Sequence, residues 1–109
     1  MLIKHTKFAM TDWSKVPAEV KPGEAGTATW QTLQTGNARV RIVEYSPGYR
    51  ADHWCERGHV IYVLEGELVT ELKDGRTFTM KAGMGYQVGD EEEPHRSHTD
   101  VGAKMFVVD

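Results

Sequence analysis

The stretch HVIYVLEGELVTELKDGRTFTM, residues 59–80, decides the fold. Its first part, His59 to Leu64, is β-branched and aromatic, the composition of a strand. Val60 to Leu64 is also the longest uninterrupted apolar run of the chain. A membrane-spanning helix needs ~20 such residues, so no segment reads as one. Glu65-Gly66-Glu67 then turns or bulges the chain. Leu68 to Leu72 resumes an extended run, with Val69 and Glu71 on the other face. Lys73-Asp74-Gly75-Arg76 is a hairpin signal, with Asp-Gly expected to form a type I′ turn. Thr77 to Met80 is the returning strand.

The same rhythm continues outward. Toward the N-terminus, Ala51 to Cys55 is a short extended piece ended by Glu56-Arg57-Gly58. Arg39 to Tyr45 alternates polar and apolar residues, as a half-buried strand does, until Ser46-Pro47-Gly48 stops it. Gly36-Asn37 is a turn, and Trp30 to Leu33 is a candidate first strand. Toward the C-terminus, Lys81-Ala82-Gly83 turns the chain into Met84 to Val88. An acidic loop, Gly89 to Pro94, leads to His95 to Thr99 and then to Ala103 to Val108. No window of 12 or more residues carries a helical stripe. Short strands with turn signals every ~8–12 residues indicate an all-β sandwich or barrel. Residues 1–36, with Trp13, Pro17, Pro22 and Gly23-Glu24-Ala25-Gly26, read as an irregular N-terminal arm with extended pieces.

Composition excludes several classes of function. The chain has 109 residues, enough for one domain. Thirteen basic against sixteen acidic residues give a net charge of −3. No block of Lys and Arg stands out, so neither nucleic acid nor a membrane is an expected partner. Cys55 is the single cysteine, which excludes an intrachain disulfide. The first residues, Met1 to Lys7, are too polar for a signal peptide, and the expected location is the cytoplasm.

Histidine and cysteine carry the chemistry. His53 and Cys55 are two apart, so on a strand both side chains face one way. His59 follows four residues later, and a hairpin at Glu56-Arg57-Gly58 would return it to the same cavity. His95, after Pro94, could face them across a closed barrel. Imidazole and thiolate are the usual ligands of zinc and also suit copper, iron and nickel. The functional reading is a metal site of His53, His59 and His95 with Cys55 as fourth ligand. The alternative is surface or hydrogen-bonded histidines and a thiol packed as a small hydrophobe.

With these residues in view, the chain resembles a cupin. Pro47-Gly48 through Glu65-Gly66 is similar to the first cupin motif: a glycine, a His-x-His pair, a glutamate, and a glycine seven residues beyond. Gly66 lies seven residues after His59. His53 then takes the first histidine position, Cys55 the second, and His59 the glutamate position. Tyr62 to Leu68 matches best. Gly83 and Pro94-His95 loosely resemble the second motif, with His95 at the ligand position. More narrowly, Asp52-His53-Trp54-Cys55 resembles the signature of small bacterial-type cupins with an Asp-His-Cys-Trp-like motif. The resemblance implies a double-stranded β-helix (jelly-roll) barrel over residues 37–109. It also implies an arm, residues 1–36, packing on the barrel or a partner, a homodimer, and a divalent transition metal (zinc, iron or nickel) in the barrel mouth. A three-histidine shell would resemble the thiol dioxygenase type of cupin, which holds ferrous iron with open positions. Adding a Cys55 thiolate would close a tetrahedral set, which favours structural zinc.

The remaining residues divide between site and surface. His98, three beyond His95, is expected on the opposite face, and His5 in solvent. Glu56 and Tyr62 are the candidate acid–base groups, although Glu56 beside Arg57 also reads as an exposed pair. Tyr45, Tyr62, Tyr86 and Met84 are candidates to line the cavity. Trp54 should point away from the ligands. Arg39, Arg41 and Arg96 could hold an anionic substrate or simply be solvated. Three functions follow: a metal-dependent enzyme of dioxygenase or isomerase type acting on a small molecule in the barrel, a non-catalytic module binding a small molecule or metal, and a zinc-stabilised structural barrel.

Overall fold

The 59–80 stretch folds as the longest strand of the protein and its return. A computed structural model describes residues 2–109, so Met1 lies outside the described residues. Eight strands run β1 (Ala18–Pro22), β2 (Thr27–Thr35), β3 (Ala38–Tyr45), β4 (His59–Leu72), β5 (Thr77–Lys81), β6 (Gly85–Val88), β7 (His95–His98) and β8 (Ala103–Val108). The only helical element among the described residues is a 3-10 turn at Trp13–Lys15, capped by the Asp12 side chain.

β4 belongs to both sheets. Its first half pairs antiparallel with β6 and β8, and its second half with β5 and β7. The register shifts between Val63 and Glu65, the irregularity expected at Glu65-Gly66-Glu67. A bulge here bends one strand from sheet to sheet without ending it. Gly66 makes the bend passable: its φ is 78°, and a Cβ would lie 2.0 Å from the Gly102 carbonyl oxygen. The larger sheet continues from β4 through β8 and β3 to β2 and β1.

Between the sheets lies a core built on Val43, Ile61, Val63, Leu68, Met80, Ala103, Met105 and Val107. Along β8 the burial alternates strictly, which fixes which face of β3 points inward. Val43 stands opposite Met105, and Arg41 opposite Val107. The inward row of β3 is therefore Arg39, Arg41, Val43 and Tyr45, and Val40 and Ile42 face outward.

Two expectations are modified by the structure. The extended pieces expected in the arm, residues 1–36, are two strands, β1 and β2, that join the larger sheet on either side of the turn at 23–26. Polar composition hid the first, because β1 is an edge strand exposed at four of five positions. At Asp74-Gly75 the hairpin is present but not as type I′. Gly75 N–H donates to the Leu72 carbonyl, and only Gly75 takes positive φ, whereas type I′ needs it at both central residues.

Candidate metal centre

Three different parts of the fold deliver Cys55, His59 and His95 to one point. His59 opens β4, directly after Gly58. A Cβ on Gly58 would lie 2.6 Å from the Asp90 backbone nitrogen, so the chain can enter the barrel only with glycine there. His95 opens β7, opposite Leu72 at the far end of β4. Cys55 reaches His95 by an isolated antiparallel bridge: Cys55 N–H donates to the His95 carbonyl at 2.7 Å and His95 N–H to the Cys55 carbonyl at 3.0 Å. Residues directly opposite in such a bridge share a face. The donor atoms of all three residues lie within 4.8 Å of one another.

The two imidazoles are oriented from behind. His95 Nδ1 lies 2.8 Å from the Glu93 carbonyl oxygen, an acceptor, so Nδ1 carries the proton. His59 Nδ1 lies 3.3 Å from Oδ2 of Asp109, a carboxylate with a side chain 1 % exposed. Both Nε2 atoms therefore turn to each other, 2.8 Å apart. At that distance the two nitrogens share either a proton or a metal ion. Two imidazole nitrogens on one tetrahedral zinc stand about 3.3 Å apart. Burial pushes His59 below its ordinary range, against the pull of Asp109, so this ring stays neutral. His95 is held above its range by Cys55, against burial, and the His95 imidazole in turn holds the Cys55 thiol low. A neutral imidazole and a thiol inclined to ionise are the forms that ligate metals. The donor set fits a transition metal: soft sulfur, two nitrogens, and backbone or carboxylate partners fixing the tautomers.

Asp109 anchors the wall behind His59. It follows β8 and pairs with Arg39 through two backbone hydrogen bonds, of 2.6 and 2.9 Å. Arg39 holds its carboxylate with Nε and Nη2, and Arg41 adds Nη2 at 3.0 Å. Burial alone would raise the Asp109 pKa, but the Arg39 hydrogen bond and the charges of Arg41 and Arg39 bring it down to about 2. Asp109 was not among the residues singled out in the sequence. Its only signal was its place beyond a strand that pairs with β3.

The structure separates the other candidates. His53 stands apart: residues 52–53 form a bend rather than a strand, so the two-residue alternation with Cys55 is lost. Its side chain is 76 % exposed and its Nδ1 meets Asp52 Oδ1 at 2.6 Å, at the mouth of the cavity. Glu56 is exposed at the same mouth. Tyr62 and Met84 are each 50 % exposed and lie outside the cavity, since Ile61 and Val63 take the inward positions of β4. Tyr45 and Tyr86 do line it, and Tyr49, unremarked in the sequence, is buried and stacks on Tyr45 at 4.0 Å between ring centres. Trp54 also lines it, with Arg96 over its ring at 4.3 Å, while Arg96 pairs with Glu71. His98 is half-buried in β7 and outside the cluster, and His5 is exposed.

Solved structures share this architecture. The polyketide cyclase RemF from Streptomyces resistomycificus superposes with a TM-score of 0.78 at 28% identity, over 94% of this chain and 78% of that one. A "predicted oxalate decarboxylase" from Thermotoga maritima gives 0.77 at 18% identity, over 92% and 96%. These are cupin-fold proteins. This chain has the cupin fold. No family profile matches the sequence, and no curated protein matches it, so the narrower Asp-His-Cys-Trp resemblance gains no support. Another structural neighbour, solved as Fe(II)-HppE with an alternative substrate, reaches 0.76 at 13% identity, over 94% of this chain and 60% of that one. No helix of the described residues is long and apolar enough to cross a membrane.

Proposed function

We propose that this cupin-fold protein holds a divalent transition metal on Cys55, His59 and His95 and acts there on a small molecule in the barrel. The observation that carries the reading is the pair of facing Nε2 atoms, each backed by an acceptor on Nδ1, with the Cys55 thiol beside them. Bound metal would supply Lewis acidity to polarise an oxygen of the substrate, or redox chemistry if it is iron. The protein's own part is to keep both imidazoles in the ligating tautomer, through Asp109 and the Glu93 carbonyl, and to enclose the substrate among aromatic side chains.

Three protein donors beside an open cavity of about 390 Å³ favour a working site over a closed structural zinc. Dioxygenase and isomerase chemistry both fit such a site, and which of zinc, iron or nickel is native selects between them. The exposed stripe Val60, Tyr62 and Leu64 on the outer face of β4 supports a homodimer, checked by light scattering of the full chain. Cobalt(II) reconstitution tests the ligand set. A sulfur-to-cobalt charge-transfer band is expected in wild type and absent in Cys55→Ser. An unchanged spectrum in Cys55→Ser would remove Cys55 from the site.

A further inference from the structure

Three guanidinium groups surround one carboxylate in the wall of this cavity. Arg39 already grips both oxygens of Asp109. Arg41 comes to the same carboxylate from the next inward position of β3, and Arg57 from the mouth, at 3.6 Å. Arg41 is 6 % exposed, and its Nε is sealed with no partner. Among the described residues, Nη2 is its only hydrogen-bonded nitrogen. The Trp30 ring, 4.3 Å from its guanidinium carbon, pins the plane of the group. The one acid lining the cavity is Glu56, exposed at the mouth. One buried negative charge thus serves the buried Arg41, the half-buried Arg39 and a third cation at the rim. A buried guanidinium that must share its counter-charge is costly, and a second carboxylate at its cavity side would relieve that cost.

We propose that Arg41, with Arg57 at the mouth, binds the carboxylate of a small organic acid in this cavity, beside the Cys55–His59–His95 cluster. Arg41 Nη2 and His59 Nδ1 approach the same atom, Oδ2 of Asp109, at 3.0 and 3.3 Å. An acid held by Arg41 therefore lies next to the cluster. The walls suit such a guest: Trp30, Tyr45, Tyr49 and Tyr86 offer aromatic faces, and burial keeps the Tyr45 and Tyr86 phenols protonated as donors. As a statement of substrate class this rests on the proposed metal site, whereas the arginine subsite stands without it.

The test is a tryptophan-fluorescence titration of the full chain, read through Trp30 and Trp54 in the cavity wall. The probes are benzoate, its neutral isostere benzamide, and inorganic phosphate, each on chelator-treated and on zinc-loaded protein. Saturable benzoate binding is expected in both forms, with no binding of benzamide and phosphate weaker by about tenfold. Arg41→Gln should weaken benzoate by about tenfold or more, the scale of a lost charge-assisted hydrogen bond. Arg57→Gln, at an exposed position that folding does not need, should weaken it about threefold. Equal binding of benzamide or phosphate would overturn the proposal, as would unchanged affinity in both variants. Benzoate binding confined to zinc-loaded protein would overturn the arginine subsite and leave the metal reading standing. Binding to the chelated form of a protein that takes up no zinc would do the reverse.

Discussion

The two sides of the candidate site are built differently. Behind His59, the wall is a continued ladder: Asp109 pairs with Arg39 in backbone and side chain, Arg41 joins them, and the Asp109 side chain is 1 % exposed. Across the cavity, Cys55 sits on a segment with a bend at 52–53, tied to β7 by isolated bridges at Arg50–His98 and Cys55–His95 on either side of the bend, with His53 out in solvent. Backbone pairing on both sides of a residue fixes its side chain, whereas isolated bridges leave the residues between them, here 52–54, outside the ladder. The wall should therefore carry the stability of the site, and the bent segment should tune its chemistry.

The largest effect should come from breaking the wall. Asp109→Asn leaves Arg39 and Arg41 without their counter-charge, a loss of about 3 kcal/mol for a buried pair deprived of one partner. In a domain of this size that lowers Tm by about 15 °C, measurable by calorimetry. A decrease of only one or two degrees would place the stability of the site elsewhere.

Acid probes the same group without mutation. Asp109 has a pKa of about 2 when folded, below its ordinary value near 3.9 when unfolded. Its contribution, about 2 kcal/mol, is fully present above pH ~4 and disappears as the pH falls through ~2. Urea melts between pH 5 and 2 should show this slope in wild type, and a shallower one in Asp109→Asn.

On the bent side the effects should fall on the ligand rather than the fold. Cys55→Ser should change stability by less than about 1 kcal/mol, because Cys55 is only half-buried and its backbone bridge remains. The same variant should weaken metal binding by about tenfold to a hundredfold in a competitive chelator titration. His53→Ala should do least: within about 0.5 kcal/mol in stability, with metal affinity unchanged. A loss of metal in His53→Ala matching that in Cys55→Ser would mean that the bend at 52–53 straightens on binding and brings His53 in.

How far the sequence revealed this contrast follows from the physics of each side. The barrel was legible because residues 59–80 and 103–108 pair β-rich runs with glycine and Asp-Gly turns, signals that act locally. The grouping of His59 and His95 was suggested by their strand-opening positions and by the cupin resemblance. The bend at 52–53 was not legible, because Asp52-His53 carries no glycine or proline to announce it. Arg41 was the hardest to read. Alternation along 39–45 offers Val40 and Ile42 as an apolar face, yet β8 already supplies Ala103, Met105 and Val107 to the core, and that register turns Arg41 and Val43 inward. Only tertiary pairing decides such a choice, and Asp109, the partner that makes it tolerable, lies 68 residues away.

The most direct test of the account is the metal content of the protein. Untagged wild type and the His59→Ala/His95→Ala double variant, each reconstituted separately with zinc, iron(II) and nickel and then desalted, are compared by elemental analysis per chain. Close to one equivalent of at least one metal is expected in wild type, and essentially none in the double variant. Wild type without stoichiometric metal under all three conditions, or a double variant that retains it, would contradict the account.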